Sequence, residues 1–243
     1  MIRFIIIVLI VLLYLILGIP VLLIEWVIGK INRRARDYSS LRLVQAAFKL
    51  IMFATGVKLT VIGEENVPKD RAVLYVGIHR CYFDVVMTYA RCPRLTGYIA
   101  KIEMLRYPLL RDWMKALYCL FLDRDDIRAG LKTILQGIEY IKNGISICIF
   151  PEGTRNRSDT MMPFKEGSMK MAEKTGCPII PMAITNSAEI FENHIPFIRH
   201  CHVILEYGTP IMPDELTREE KKRLGAYTQQ KIQEMLDKNK ALL

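Results

Sequence analysis

The sequence has no C-x-x-C pair and no glycine-rich nucleotide loop. These absences argue against a zinc module, a dinucleotide fingerprint and a P-loop. Its 14 glycines and 11 prolines are scattered through 243 residues, which excludes a collagen repeat or a low-complexity array. No internal repeat is visible. The six cysteines, at 81, 92, 119, 148, 177 and 201, form no disulfide pattern. Cys119 and Cys148 lie inside apolar runs, where a free thiol behaves as a small hydrophobe, and this fits a reducing compartment. His200 and His202 would share one face of a strand, but no further ligand lies close in sequence, so the pair reads as strand surface. Asn156-Arg157-Ser158 is a formal glycosylation sequon that means nothing in a cytoplasmic domain.

What is present pulls two ways. The chain is 51% hydrophobic, too apolar to be disordered. It also carries 34 Lys+Arg against 25 Asp+Glu, a net charge of +9. That excess asks for an acidic partner: nucleic acid, an anionic membrane surface or a phosphorylated substrate. Nucleic acid is the poorest fit, because no recognised module is present and the basic residues form no strip interleaved with aromatics.

The apolar excess is concentrated. Residues 4–24 carry no charge in 21 positions, and as a helix they would span roughly 31 Å, about one hydrocarbon core. The run is long for a signal peptide, lacks an A-x-A site, and is apolar on every face, unlike a core helix. Membrane attachment is the reading, by spanning or by monotopic insertion; Pro20 could kink the helix and turn it back. Lys30, Arg33, Arg34 and Arg36 follow it, against Arg3 before it. If the segment spans the cell's inner membrane, that asymmetry puts the rest on the cytoplasmic side. Residues 41–56 place Leu43, Ala47, Leu50, Ile51 and Ala54 on one stripe, as in an amphipathic interfacial helix. The basic residues 30–36 would form a linker between the two helices, facing anionic headgroups or simply solvated. Residues 1–56 are thus expected to be membrane-binding helices, and residues 57–243 one globular domain.

From residue 57 the pattern alternates. Runs rich in Val, Ile and aromatics at 57–62, 72–77, 95–100, 118–122, 145–150, 179–184 and 202–207 read as strands. Helical patterns cover 84–91, 109–117, 126–143, 166–175 and 217–240. In the clearest, Ile127, Leu131, Ile134, Leu135, Ile138 and Ile141 mark one face, Asp125 or Asp126 can cap the start, and Gly144 suits the end. The expected fold is α/β: a largely parallel or mixed sheet of about seven strands flanked by helices.

In such sheets, sites gather where strands end. The loop after Ala72–Gly77 contains His79 and Asp84. Five residues apart, they would diverge by about 140° on a continuous helix. They meet only if the chain turns between them. If they do, Asp84 fixes one imidazole nitrogen and the other is free to take a proton from a hydroxyl. Spacing alone favours the plainer case, in which His79 ends a strand and Asp84 caps a helix with no shared role. The loop after Ser146–Phe150 reads Pro151-Glu152-Gly153-Thr154-Arg155. It is a tight turn with a candidate phosphate fork in Arg155. Lys165, beside a helix start, is a second cation.

Together these pieces resemble the glycerolipid acyltransferases, most closely those acting on 1-acyl-sn-glycerol 3-phosphate. His79-x4-Asp84 matches the family's first block, and Phe150-Pro151-Glu152-Gly153-Thr154-Arg155 its third. Lys101-Ile102-Glu103-Met104, Pro108 and Leu122-Asp123-Arg124 resemble the second block, and Pro178-Ile179-Ile180-Pro181-Met182 the fourth. The likeness runs over about residues 57–210, and the first two helices resemble the family's membrane-binding element. Arg111 stands where members often have Gly, and Met104 where Leu is usual.

The resemblance implies that His79 is the general base on the sn-2 hydroxyl of lysophosphatidic acid, oriented by Asp84. The donor is an acyl thioester, acyl-CoA or acyl carrier protein, and the product phosphatidic acid. Arg124, Glu152, Gly153, Thr154 and Arg155 correspond to acceptor-holding positions, with Lys165 added. No metal site and no tightly bound cofactor is expected. Partners would be the two substrates, an anionic phospholipid membrane, and acyl carrier protein if that is the donor, with no nucleic acid. The rival readings are an acyltransferase with another acceptor, such as glycerol 3-phosphate or another lysophospholipid, and a non-enzymatic anionic-lipid-binding protein.

Overall fold

The computed structural model describes residues 1–158 and 160–243. The chain opens with two helices, α1 (Ile2–Ile31) and α2 (Arg33–Thr55). α1 runs unbroken through Pro20, so the turn-back comes at Asn32 instead. Asn32 alone is extended, and its side chain accepts from Ala35 N at 3.0 Å to cap α2. The expected basic linker is therefore helix. No glycine or proline interrupts residues 30–36, and its arginines are good helix formers. These cations are also partly docked: Arg33 Nε donates to Tyr118 Oη at 3.3 Å, and Arg36 pairs with Asp37.

Most apolar side chains of α1 are exposed, with Ile2, Leu9, Ile16, Leu17 and Leu23 each more than half accessible. One stripe is different. Ile7, Gly18 and Glu25 are buried, Phe4 stacks on Phe191, and Tyr14 lies against Trp113 with ring centroids 5.2 Å apart. α1 is therefore packed along much of its length against the rest of the protein.

The seven strands are β1 (Lys58–Ile62), β2 (Leu74–Gly77), β3 (Thr96–Lys101), β4 (Leu120–Leu122), β5 (Ser146–Ile149), β6 (Ile179–Thr185) and β7 (His202–Tyr207). They form one mixed sheet in the order β1-β7-β6-β2-β5-β3-β4, in which only β6 and β7 pair antiparallel. β2 is central, so the loop leaving it opens at the middle of the sheet. Pleating sends Leu74 and Val76 to one face and Tyr75 to the other. The first face is covered by α5 (Ile127–Lys142), α6 (Lys170–Thr175) and α8 (Leu224–Lys240); the second by α1, α2, α3 (Tyr82–Tyr89) and α4 (Pro108–Ala116). His202, at the start of β7, bonds Thr60 on β1 at 2.8 Å, and His200 is exposed.

Two helices depart from expectation. In α5, Asp126 is the cap, and Ile134, Ile138 and Ile141 pack inward. Ile127, Leu131 and Leu135, however, are 89%, 60% and 54% exposed. The buried face is turned toward Gly130 and Gly137 instead. A Cβ on Gly137 would stand 2.4 Å from Met171 Sδ, so close approach on glycine sets the rotation of the helix. The expected helix 217–240 is broken at Arg223 into α7 (Arg218–Lys222) and α8. Glu166 explains the restart, because its carboxylate accepts from Gly225 N at 2.9 Å and Ala226 N at 3.2 Å, occupying donors that open α8.

Candidate active site

β2 ends at Gly77, and after three intervening residues Cys81 serves as N-cap of α3. The turn from strand into helix brings His79 and Asp84 together. Asp84 is fully buried, and its Oδ2 accepts from His79 Nδ1 at 3.0 Å, Arg80 N at 2.7 Å and Cys81 N at 2.7 Å. The plainer case is therefore incomplete: Asp84 caps the helix and also pairs with the histidine through one oxygen. His79 lies flat on Phe150, ring centroids 4.7 Å apart, with 18% of its side chain exposed. With Nδ1 engaged, Nε2 makes no hydrogen bond within the described residues.

The loop after β5 comes alongside because β5 is the sheet neighbour of β2, with Val76 opposite Ile149. Asn156 N donates to His79 O at 2.8 Å and ties the two loops together. Gly153 holds φ +77°, a left-handed position that favours glycine, and Lys165 Nζ lies 3.3 Å from where its Cβ would be. Glu152 points inward. It is 6% exposed, and its Oε2 accepts from Asn156 Nδ2 at 2.6 Å and Met162 N at 3.0 Å. This carboxylate spans the loop from 152 to 162. Thr154 is exposed, as is Lys165.

Arg155 turns toward α3. Its Nη1 donates to Glu192 Oε1 at 3.1 Å and its Nη2 to Tyr82 Oη at 2.8 Å, with the guanidinium 3.7 Å from the Tyr82 ring centroid. Arg124 is exposed beyond β4, three strand spacings from β2, roughly 14 Å. Lys101, at the end of β3 between them, pairs with Glu103. His79, Asp84, Glu152, Gly153, Arg155 and Lys165 therefore gather around two adjacent loops, while Arg124 stands apart at the sheet edge. Sequence reasoning missed Glu192, Tyr82 and the structural part of Asn156. Tyr82 lies inside the His-x4-Asp interval and was visible there; Glu192 is 110 residues from Tyr82, and no spacing marks it.

Chemically, an imidazole with one nitrogen fixed by a buried carboxylate is built to remove a proton. Cys81 beside it is no rival nucleophile: it is completely buried, and burial, with Asp84 close by, pushes its thiol far above the ordinary range. Among the described residues no group of three or more His, Cys, Asp or Glu side chains is placed to hold a metal ion.

Fold and site together place a buried-carboxylate–histidine pair at the carboxyl ends of a parallel sheet core, an arrangement suited to taking a proton from a hydroxyl. The sequence profile of the Acyltransferase family matches residues 58–185. The chain is 32% identical to the 1-acyl-sn-glycerol-3-phosphate acyltransferase of Borreliella burgdorferi over 198 residues, 80% of this chain and 78% of that one. It is 30% identical to the probable 1-acyl-sn-glycerol-3-phosphate acyltransferase of Mycoplasma pneumoniae, covering 83% of each. The crystal structure of the 1-acyl-sn-glycerophosphate acyltransferase of Thermotoga maritima shares the fold, with a TM-score of 0.85 over 99% of this chain and 95% of that one, at 24% identity. The chain belongs to the acyltransferase family.

Proposed function

We propose that this protein transfers an acyl chain from an acyl thioester to the sn-2 hydroxyl of 1-acylglycerol 3-phosphate, making phosphatidic acid. The observation that carries the reading is the His79–Asp84 pair, with Nε2 unengaged among the described residues, on a loop tied to the one that carries Glu152 and Arg155. The names of its relatives support the same acceptor. His79 Nε2 takes the hydroxyl proton as the oxygen attacks the thioester carbonyl. Asp84 stabilises the imidazolium that forms. The tetrahedral intermediate collapses, the C–S bond breaks, and the imidazolium returns the proton to the departing sulfur. No acyl-enzyme is required, and the thioester, of coenzyme A or of carrier protein, is the only co-substrate the chemistry needs.

The acceptor's phosphate fits beside Arg155 and Lys165, with Arg124 reached only by an extended ligand. α1 holds the site at the membrane. It is long and apolar enough to cross a bilayer, yet one side of it is packed on the domain, at Phe191 near its start and Trp113 near its middle. A helix so occupied is not surrounded by lipid, which favours α1 lying in one leaflet; the six free cysteines of the chain suit a catalytic domain on the reducing, cytoplasmic side of the membrane.

The test follows thiol release in detergent-solubilised protein with lysophosphatidic acid as acceptor. Arg155→Ala should raise the acceptor KM about tenfold or more, the loss expected for a charge-assisted phosphate contact. An unchanged acceptor KM removes Arg155 from the phosphate site. Wild-type rates in a folded His79→Ala variant would overturn the mechanism.

A further inference from the structure

One buried charged group close to the site has no part in the chemistry above. Glu192 stands on the 3-10 turn Glu192–His194, between β6 and β7. Its side chain is only 7% exposed. Burying a carboxylate is costly unless it is paired and hydrogen-bonded, so its contacts show what it is kept for. Oε1 accepts from Tyr82 N at 2.8 Å and from Arg155 Nη1 at 3.1 Å. Oε2 is buried without a hydrogen-bond partner among the described residues, and the Cys81 thiol lies close to the carboxylate. A single carboxylate oxygen thus joins the first residue of α3 to the arginine of the neighbouring loop.

Arg155 is held from two sides. Glu192 takes one of its N–H groups, Tyr82 Oη takes another at 2.8 Å, and the Tyr82 ring lies under the guanidinium. A guanidinium has five donors, so three remain for a ligand. An arginine free in solvent loses rotamer freedom when it grips a phosphate, whereas one already held has lost it beforehand. Glu192 in turn follows Phe191, whose ring stacks on Phe4 of α1 with centroids 5.6 Å apart and planes at 11°. Phe191 also meets Phe83 of α3 edge-on at 6.5 Å.

We infer that Glu192 is a positioning residue for the acceptor: it holds Arg155 in place for the phosphate, and it takes its own placement from the membrane helix through the Phe191–Phe4 stack. The inference rests on Arg155 being the acceptor's phosphate ligand. The geometry makes a specific demand on the substitutions. Glutamine keeps the accepting oxygen and gives up the charge that competes with phosphate, so it should preserve the placement. Alanine removes the hold.

The experiment uses the full chain in detergent, lysophosphatidic acid as acceptor, and whichever of acyl-CoA or acyl carrier protein gives turnover. Acceptor KM, donor KM and kcat are measured for Arg155→Ala, Glu192→Ala, Glu192→Gln, the Arg155→Ala/Glu192→Ala pair and Phe4→Ala. Glu192→Ala should raise acceptor KM about tenfold, with donor KM and kcat within about twofold, and Glu192→Gln should stay within about threefold of wild type. Because Glu192 acts through Arg155, the double variant should show the acceptor KM of Arg155→Ala alone. Phe4→Ala should move acceptor KM in the same direction by a smaller factor. An unchanged acceptor KM in Glu192→Ala, equal shifts for both substrates, or multiplying effects in the double variant would overturn the inference. An unchanged acceptor KM in Phe4→Ala would remove α1 from the chain of contacts. If Arg155→Ala itself leaves acceptor KM unaltered, the functional reading of Arg155 has failed; if it raises KM and Glu192→Ala does not, only the present inference has.

Discussion

Replacing Asp84 by asparagine removes a charge and leaves the shape of the turn. The amide oxygen can take the position of Oδ2 and accept from Arg80 N and Cys81 N as before, each now at 2.7 Å. The amide nitrogen then occupies the place of Oδ1, which has no hydrogen-bond partner among the described residues. What disappears is the attraction between a carboxylate and the imidazolium formed as the hydroxyl is deprotonated. At the 3.0 Å separation of Asp84 Oδ2 and His79 Nδ1, an effective dielectric of 20 gives about 5 kcal/mol for two unit charges. Part of that is recovered, because the asparagine oxygen still accepts from Nδ1 and solvent reaches the 18% of His79 that is exposed. Roughly 3–4 kcal/mol of transition-state stabilisation should go, a fall in kcat of about two to three decades. Both KM values should hold, since the charge matters only once the proton has moved. The assay is thiol release from the acyl thioester at saturating acceptor, with melting of the variant followed in parallel. A kcat within about fivefold of wild type, in protein that melts normally, would refute the reasoning. So would a loss found wholly in KM.

Three other outcomes follow from the same geometry. Cys81→Ser should keep activity within about threefold, because serine is a better N-cap than cysteine. With its thiol held protonated by burial, Cys81 should also resist iodoacetamide at neutral pH, where its thiolate is negligible; inactivation by alkylation at Cys81 would contradict this. Glu152→Ala leaves Met162 N and one N–H of Asn156 Nδ2 without an acceptor, while the other Nδ2 hydrogen still goes to Thr160 O at 2.7 Å, costing about 2–4 kcal/mol for the two stranded N–H groups. It should lower Tm and open the 152–162 loop to limited proteolysis, and a purely kinetic defect at unchanged Tm would argue against a structural part for Glu152. Gly97→Ala would place a methyl 2.1 Å from Tyr118 O, a backbone atom. A loss of about 2–4 kcal/mol is expected by chemical denaturation, and a loss under 1 kcal/mol would show that β3 and the Tyr118 turn separate easily.

Much of the sheet is readable in the sequence for a plain reason. Strands buried on both faces are continuous apolar runs, and Leu74–Gly77, Ser146–Ile149 and Ile179–Thr185 are completely buried. The His79–Asp84 pairing is half readable, since the spacing demands a turn and the strand-to-helix junction supplies it. Other features are silent. Hydrophobic periodicity gives weight to Leu131 and Leu135 and none to Gly130 and Gly137, yet the glycine face of α5 is the one that docks. The start of α2 is polar and shows no stripe, and only the cap at Asn32 marks it. Nothing in Pro-Glu-Gly-Thr-Arg says which charge turns inward. Glu152 does so because two donors of its own loop await it, whereas Arg155 reaches an acid whose position is set by tertiary folding.

The bond from Asn156 N to His79 O has a consequence for how such chains can vary in length. It joins loops leaving β2 and β5, strands that are neighbours in the sheet although some seventy residues separate them in sequence. Everything in between, from α3 through β3, α4, β4 and α5, is an excursion that departs from one side of the knot and returns to it. Residues added to the outer turns of that excursion displace an edge strand and its helices, leaving the knot in place. Residues added between His79 and Asp84, or between Phe150 and Asn156, untie it. The short intervals are therefore the rigid ones, and the long interval is where insertions can remodel the floor of the site without resetting its chemistry.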